Sequence, residues 1–263
     1  MKIVSNSSEI PSGCAFVPTM GALHLGHASL FRKAKTLSDL VVASIFVNPL
    51  QFEDKEDLAK YPRTPDRDIE LAELSGVTHL WLPHHSEIYP GEVTTIKAGA
   101  LGDIFEGASR PGHFDGVVTV VKRLFDLVNP KFAIFGEKDF QQLTLIRSIA
   151  GEVEIIQSPT MRDENGLAMS SRNIRLDDAS LNSAQVISQA LFAAAQESSI
   201  EKAKATLKQV LSSQEAVTIE YAEIVDEKDF SVATELTQLP RAIIAGSIMG
   251  VRLIDNMPMK VRA

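Results

Sequence analysis

The chain has 263 residues, of which 44% are hydrophobic, so it is long enough to bury one large core or two smaller ones. Its formal net charge of −8 argues against a general nucleic-acid-binding protein, whose surface should be basic. The single cysteine excludes an intramolecular disulfide. The first residues lack a signal-like apolar run and no segment has membrane-spanning apolar length, so we expect a cytoplasmic protein with no membrane or nucleic-acid partner.

Short apolar runs alternate with helical patterns through the first 160 residues. The apolar runs predict strands at residues 15–17, 40–47, 78–82, 132–135 and 153–156. The patterns between them predict helices at residues 28–38, 65–75, 116–128 and 139–149. Strands that are apolar throughout and joined by helices are typical of a parallel sheet covered on both faces. We therefore predict a doubly wound, Rossmann-like α/β domain over residues 1–160.

The pattern changes near Thr160, after a short turn at residues 157–160. Two helices are predicted at residues 177–199 and 200–213, followed by strands at 217–225, 242–248 and 250–254. Helices followed by strands favour a separate unit. We predict a smaller C-terminal α+β domain over residues 161–263.

Two segments of the first domain carry further expectations. The helix at residues 116–128 is apolar on nearly all sides, which predicts full burial in either the core or a subunit interface. The polar segment at residues 5–13 is too short for more than a turn.

The segment Pro-Thr-Met-Gly-Ala-Leu-His-Leu-Gly-His, at residues 18–27, lies where the first strand gives way to a helix. His24 and His27 are three residues apart, which places both imidazoles in the first turn of that helix. Unpaired backbone N–H groups and the helix dipole attract anionic phosphates there, and Gly21 and Gly26 allow close approach of a ligand. A simple helix cap is the alternative interpretation. Zinc binding is less favoured because no third or fourth ligand lies at a metal-site spacing.

Three further loops carry polar groups to the predicted edge of the sheet. Gln51 follows the second strand, where it either binds a small polar substrate or satisfies loop backbone groups. Lys138 begins a helix, which is unfavourable for the dipole unless the lysine binds a polyphosphate, and a plain surface lysine is the alternative. Ser170, Ser171 and Arg172 form either a phosphate clamp or an exposed turn with a helix cap.

Seven segments, in this order, resemble the pantothenate synthetase (pantoate–β-alanine ligase) family. They read PTMGALHLGH, FVNPLQF, YPRTPD, RPGHFDGV, FGEKDFQQL, MSSRN and RLIDN, and the match extends from Phe16 to Asn256. The family belongs to the His-x-Gly-His nucleotidyltransferase superfamily, which is related to class I aminoacyl-tRNA synthetases. The Met-Ser-Ser-Arg loop is similar to the second ATP signature of those synthetases.

The resemblance implies an ATP-dependent ligase that works in two steps. Pantoate would attack the α-phosphorus of ATP to give pantoyl adenylate and pyrophosphate, and β-alanine would then displace AMP to form pantothenate. It also implies a homodimer, and Mg²⁺ bound mainly through the ATP phosphates. The first domain would bind ATP and pantoate, and the second would act as a lid.

The resemblance also assigns the site residues. The implied ATP-binding residues are Met20, Gly21, Ala22, Leu23, His24, Leu25, Gly26, His27, Gly136, Glu137, Lys138, Asp139, Met161, Met169, Ser170, Ser171 and Arg172. Those implied to act on the phosphates are His24, His27, Lys138, Ser170, Ser171 and Arg172, with His27 as proton donor. Gln51 and Gln142 correspond to pantoate-binding glutamines. No side chain is assigned to the metal, and Asp68 is left out because an acidic first helical turn has a simpler dipole explanation.

Three other functions remain as alternatives. Another nucleotidyltransferase of this fold would stop at a nucleotidyl product, but the neutral amides of Gln51 and Gln142 suit a hydroxy acid better than a phosphorylated acceptor. A class I aminoacyl-tRNA synthetase is less favoured because the chain shows no tRNA-binding extension or basic surface. A nucleotide-binding module without turnover is the third.

Overall fold

A six-stranded parallel sheet forms the centre of the first of two units. The structure is a computed structural model that describes residues 1–52 and 55–260. The chain divides into two units, Met1–Met161 and Arg162–Ala263. The strands of this sheet are β1 (Lys2–Val4), β2 (Ala15–Thr19), β3 (Val41–Ile45), β4 (His79–Trp81), β5 (Phe132–Gly136) and β6 (Glu154–Ser158). Their order across the sheet is β1-β4-β3-β2-β5-β6, and each pair is parallel. The predicted Rossmann-like fold is confirmed.

The described residues of this unit form seven α-helices. They are α1 (Leu25–Lys35), α2 (Lys55–Lys60), α3 (Pro65–Leu74), α4 (His85–Ile88), α5 (Glu106–Ser109), α6 (His113–Val128) and α7 (Phe140–Ile149). The four predicted helices correspond to α1, α3, α6 and α7, and their ends agree within three residues. Helix α3 begins at Pro65, which agrees with the predicted start at residue 65 and suits the fixed φ of proline, and the side chain of the preceding Thr64 makes no capping hydrogen bond.

Strand β1 is absent from the sequence prediction. It has three residues, two of them exposed, so its pattern is too short to distinguish a strand from a loop. It forms because β4 offers a parallel partner at the sheet edge, with Ile3 opposite Leu80. The polar segment 5–13 that follows contains a single 3₁₀ turn, Ser7–Glu9, as expected.

Helix α6 is buried in the core of its own unit. Eleven of its 16 residues are buried, including Val117, Val118 and Val121, whereas Leu127 is only half-buried. The choice between the core and a subunit interface is therefore decided for the core, because these eleven residues are already buried within one chain.

The backbone of α6 contacts a loop because residue 116 is glycine. A Cβ atom at Gly116 would lie 2.2 Å from the carbonyl oxygen of Leu50 and 2.7 Å from the backbone nitrogen of Gln51. These two residues belong to the 3₁₀ turn Pro49–Gln51, which follows β3. The side-chain Nδ2 of Asn48 also donates to the carbonyl oxygen of Gly116, at 3.1 Å. The turn is thus fixed against the helix by direct backbone contact.

The second unit is an α+β domain. Its strands β7 (Thr218–Asp226), β8 (Pro240–Ile248) and β9 (Val251–Pro258) form an antiparallel sheet in the order β7-β8-β9. Helices α8 (Asp178–Ala194) and α9 (Ile200–Leu211) share an apolar core with that sheet, and its fully buried members include Leu191 and Ile244. The predicted α+β fold is confirmed.

Strand β9 extends four residues beyond the predicted end, because Arg241 of β8 pairs with Pro258. Among the helices of residues 1–52 and 55–260, none combines the length and apolar character needed to cross a bilayer.

We predict that Gly116→Ala destabilises the protein. The added methyl group would collide with the Leu50–Gln51 backbone, so the free energy of unfolding should fall by roughly 1–3 kcal/mol. Alanine is otherwise favoured over glycine inside a helix by about 1 kcal/mol, so a loss of stability would show that the methyl group collides with the turn. Urea unfolding measures this loss. Gly91→Ala is the control, since nothing lies within 4 Å of its Cβ position. An unchanged midpoint for Gly116→Ala would contradict the close contact.

Candidate active site

The candidate site lies beyond the carboxyl ends of β2, β3 and β5. Strand β2 pairs with β3 on one side and with β5 on the other, and all three run in the same direction. The chain proceeds from β2 to β3 in one direction across the sheet and from β5 to β6 in the opposite direction, so the strand order reverses between β2 and β5. Ligands of open parallel sheets bind at such a reversal. The loops at residues 20–24, 46–52 and 137–139 therefore begin at one edge.

His24 and His27 cap the amino end of α1 through their Nδ1 atoms. Nδ1 of His24 accepts from the backbone N–H of Gly26 at 3.1 Å, and Nδ1 of His27 accepts from that of His24 at 3.3 Å. Because both Nδ1 atoms accept, each neutral ring carries its proton on Nε2. Within the described residues neither Nε2 atom has a hydrogen-bond partner. The helix-cap interpretation is thus correct for Nδ1, while each Nε2–H group is a donor that is not used by the described residues.

Both histidines are neutral at physiological pH. Burial lowers the pKa of His24 to about 4, with a further contribution from the positive charge of Lys138 that the carboxylate of Asp139 partly offsets. Burial also holds the pKa of His27 well below its ordinary value, aided by His24 and Lys138. The ring centroids lie 4.2 Å apart, so two imidazolium charges would repel strongly. The positive charge of this part of the site therefore resides on Lys138.

Buried Asp68 holds the loop that leads to the histidines. Its Oδ1 accepts from the backbone N–H of Leu23 at 2.7 Å and from the hydroxyl of Thr64 at 2.8 Å, and the residue is only 2% exposed. Gly21 has φ +68°, and a Cβ atom there would lie 2.8 Å from Oδ2 of Asp68. The hydroxyl of Tyr61 donates to the carbonyl oxygen of Gly21 at 2.7 Å. Asp68 thus fixes the backbone of this loop, which the first-turn dipole explanation did not anticipate.

The side chain of Gln51 connects two loops of the site. Its Nε2 donates to Sδ of Met20 at 3.0 Å, and its Oε1 accepts from Nδ2 of Asn48 at 3.2 Å. The hydroxyl of Tyr89 in turn donates to Oδ1 of Asn48 at 2.9 Å. The alternative in which Gln51 satisfies loop backbone groups does not describe these contacts, which are made to side chains. The amide is buried and oriented next to the loop that carries the histidines.

The two adjacent glutamines after β5 have different surroundings. Gln141 is buried, and its Nε2 donates to the carbonyl oxygens of Leu101 at 2.7 Å and Ile104 at 2.8 Å. Gln142 is half-buried, and its amide has no hydrogen-bond partner in the described part of the chain. Gln141 therefore anchors a neighbouring loop, whereas Gln142 lies in the first turn of α7, four residues after Lys138, with its amide available.

The predicted serine and arginine residues lie in the second unit. Ser170 caps the 3₁₀ helix Ser171–Arg175, since its hydroxyl oxygen accepts from the backbone N–H of Arg172 at 3.3 Å. The preceding turn is held by Arg162, whose Nη2 donates to Oδ1 of Asp255 at 3.0 Å. Met169 belongs to the same loop, while Met161 is the last residue of the first unit. The contribution of Met161 and of residues 169–172 to ATP binding stays a prediction.

Several residues that support the site were not predicted to do so. Asn48 and Tyr61 lie in the FVNPLQF and YPRTPD segments, but no role was assigned to either residue, and their partners Gly116 and Gly21 are distant in the chain. The RPGHFDG segment contributed to the family resemblance, but none of its residues was assigned a role. In the structure Arg110 and His113 both contact the main-chain carbonyl oxygen of Gln51.

Comparison with known proteins agrees with these features. Residues 2–258 match the family model described as pantoate-beta-alanine ligase. The chain belongs to the pantoate–β-alanine ligase family. The resemblance inferred from the sequence motifs is confirmed, and so is the expectation of a ligase enzyme.

Relatives of this family match over nearly their full length. Pantothenate synthetase from Acidothermus cellulolyticus is 46% identical, over 94% of this chain and 85% of the relative. The crystal structure of pantothenate synthetase from Thermus thermophilus is 41% identical, with a TM-score of 0.93 over 98% of this chain and 99% of that chain. The pantoate–β-alanine ligase from Francisella tularensis, complexed with Beta-gamma ATP and β-alanine, is 33% identical with a TM-score of 0.81, over 98% of this chain and 97% of that chain.

The buried histidines predict that this family member loses stability in acid. Burial and the charge of Arg110 lower the pKa of His113 from 6.5 to about 4, so between these values the unfolded chain binds more protons than the folded chain. The contribution of neutral His113 to the free energy of unfolding is then fully present above pH ~6.5, and it declines as the pH falls toward 4. For His113 the loss between pH 8 and 5 is on the order of 2 kcal/mol.

Urea midpoints measured from pH 8 to pH 5 test this expectation. His113→Asn should reduce the pH dependence because it removes one titrating group. The same substitution at an exposed position, His84→Asn, provides the matched control. An undiminished dependence in His113→Asn would show that the buried ring does not titrate as described.

Proposed function

We propose that the chain condenses pantoate with β-alanine to form pantothenate, through a pantoyl adenylate and with release of pyrophosphate and AMP. The observation that carries the proposal is the set of donors at one sheet edge: two neutral imidazole Nε2–H groups, the Lys138 charge and the oriented Gln51 amide. The ligands bound by the Francisella relative, Beta-gamma ATP and β-alanine, support the same reaction.

Phosphate binding follows from the first loop and Lys138. Neutral His24 and His27 would donate Nε2–H bonds to phosphate oxygens, so the proton-donor role implied for His27 is hydrogen-bond donation by a neutral ring. Negative charge shifts onto pyrophosphate as it leaves the α-phosphorus, and Lys138 would stabilise that charge. Met20, Gly136 and neighbouring residues of their loops would bind the rest of ATP through the backbone, as the resemblance implies.

The acid substrate is assigned to the two available amides. Amide groups hydrogen-bond the carboxylate and hydroxyl groups of pantoate without adding charge. Gln51 Nε2 carries two hydrogens, of which Met20 accepts one, and Gln142 supplies a second amide. The Gln51 amide lies next to the first loop, so it would place the pantoate carboxylate near the α-phosphorus of bound ATP. Coupling to AMP then provides a leaving group that a free carboxylate lacks.

The mechanism requires no covalent nucleophile from the protein. Cys14, the single cysteine, is buried, and burial raises its pKa to about 12, which keeps the thiol protonated. The described residues also offer no group of three or more metal-binding side chains. We therefore assign no step to a protein-held metal, and Mg²⁺ would enter with the ATP phosphates.

The remaining assignments extend this proposal to the whole protein. Residues 1–160 would form the ATP- and pantoate-binding domain, and residues 161–263 would form a lid that contributes Met161, Met169, Ser170, Ser171 and Arg172 to ATP binding. The enzyme would work in the cytoplasm as a homodimer.

A product assay tests the proposed reaction directly. Purified protein with ATP, Mg²⁺, D-pantoate and β-alanine should give pantothenate and AMP in equal amounts, detected by mass spectrometry. Omission of any one substrate should abolish pantothenate, whereas omission of β-alanine alone should leave pantoyl adenylate bound to the enzyme. A stable nucleotidyl product, or ATP binding without AMP release, would instead favour another nucleotidyltransferase or a binding module.

Substitution of the phosphate-binding residues should slow the first step selectively. Lys138→Ala removes the charge, and His27→Asn removes Nε2–H while keeping an acceptor near the Nδ1 position. Each should reduce single-turnover adenylate formation by about two orders of magnitude or more. Lys33→Ala, at an exposed position of α1, is the control and should leave the rate unchanged. Near-normal adenylation in both folded variants would disprove the assigned roles.

A further inference from the structure

A buried polar network converges on the main-chain carbonyl oxygen of Gln51. Nδ1 of His113 lies 2.9 Å from this oxygen, and Nη2 of Arg110 donates to it at 3.3 Å. Nη1 of Arg110 also donates to Nε2 of His113 at 2.9 Å and to Oε1 of Glu106 at 3.3 Å. Glu106 and His113 are only 5% and 7% exposed. Two donors from one segment of the chain thus hold a single backbone atom of another.

The contacts allow only one protonation state of His113. A carbonyl oxygen only accepts, so Nδ1 must carry the proton, and a guanidinium only donates, so Nε2 must be unprotonated. A neutral His113 with the proton on Nδ1 therefore satisfies every contact. Glu106 compensates the charge of Arg110, which is needed because an unpaired buried charge is costly.

Gln51 is consequently fixed from two sides. Arg110 and His113 hold its main-chain carbonyl, while Asn48 and Met20 contact its side-chain amide. The backbone of α6 at Gly116 lies against the same turn, which leaves no room for the turn to shift toward the helix. A change at the carbonyl would therefore move the amide relative to the loop that carries the histidines.

We propose that Arg110 and His113 are positioning residues for the acid substrate, which act through the Gln51 main-chain carbonyl to orient the Gln51 amide. This inference rests on the proposed function, in which Gln51 binds pantoate. Neither residue is assigned a contact with a reacting atom. Loss of either donor should weaken the use of pantoate and leave the use of ATP unchanged.

Two substitutions of His113 separate this role from simple packing. Asn can place an N–H group where Nδ1 of histidine lies, so His113→Asn retains a donor to Gln51. Gln extends to the position of Nε2, so His113→Gln loses that donor while keeping a partner for Arg110. His113→Gln should lower kcat/KM for D-pantoate by about tenfold, the effect of one lost buried hydrogen bond. His113→Asn should keep most of the wild-type kcat/KM for D-pantoate. In both variants the KM for ATP should stay within about twofold of the wild-type value.

A double-mutant cycle tests whether His113 acts through Gln51. In a Gln51→Ala background the carbonyl remains but the amide is absent, so His113→Gln should cause no further loss in kcat/KM for D-pantoate. A further tenfold loss in that background would overturn the proposal, because it would show that His113 affects the site independently of the amide.

Arginine variants provide the second test and the matched control. Arg110→Met removes the other donor and should reproduce the selective loss toward pantoate, even if His113 variants fold poorly. Arg147 of α7 is an exposed arginine whose Nη2 donates to Oε1 of Gln157 at 2.8 Å, and within the described residues it makes no contact with the Gln51 network. Arg147→Met should leave kcat/KM for pantoate unchanged.

The outcomes distinguish the two proposals. No pantothenate from the wild-type protein would refute the proposed function itself. Pantothenate from the wild type, with sensitivity to Gln51→Ala but equal losses toward pantoate and ATP in the Arg110 and His113 variants, would refute only the positioning role.

Discussion

The parallel pairing of β2 with both β3 and β5 is the constraint on which the candidate site depends. Parallel neighbours end at the same edge, so the histidine loop, the Gln51 turn and the Lys138 loop all begin there. The histidine loop and the Gln51 turn meet, since Gln51 donates to Met20, and Lys138 lies near enough for its charge to lower the pKa of both histidines. No single loop carries the two imidazoles, the lysine and the amide, and the sheet brings their loops to one edge.

The electrostatics of this edge favour an anionic ligand without requiring charged histidines. Partial burial and the nearby lysine make protonation of His24 and His27 unfavourable, while their capping bonds keep the Nδ1 atoms occupied. The rings are therefore neutral donors at fixed positions, next to one cation and the amino end of α1. Donors that are already oriented need no reorganisation when charge develops on a phosphate group. The proposed adenylation uses this property.

Close backbone approach and paired buried polar groups keep the loops in place. Gly21 leaves room for Asp68, and Gly116 leaves room for the turn that carries Gln51. Asp68, Arg110 and His113 then hold backbone atoms of these loops by hydrogen bonds. A buried polar group that lost its partner would destabilise the fold, so the same contacts that stabilise the protein also fix the geometry of the site.

The sequence by itself determined the features that depend on neighbouring residues. The apolar runs indicate most of the strands, the helical patterns indicate six helices, and the three-residue spacing of His24 and His27 is a property of one helical turn. Family membership also followed from the motifs. Local geometry is enough for these conclusions because residues close in the chain decide them.

Only the tertiary structure decided which distant groups meet. Strand β1 exists because β4 pairs with it, Asp68 reaches Leu23 across 45 residues, and His113 reaches Gln51 across 62. The residue pattern alone likewise does not distinguish Gln141, which anchors a loop, from Gln142, whose amide is available, and only the family resemblance selected Gln142. The rotation of α7 against its neighbours decides that difference. Such contacts depend on how the elements pack. Packing brings together segments that are far apart in the chain, and the local sequence pattern does not indicate which segments meet.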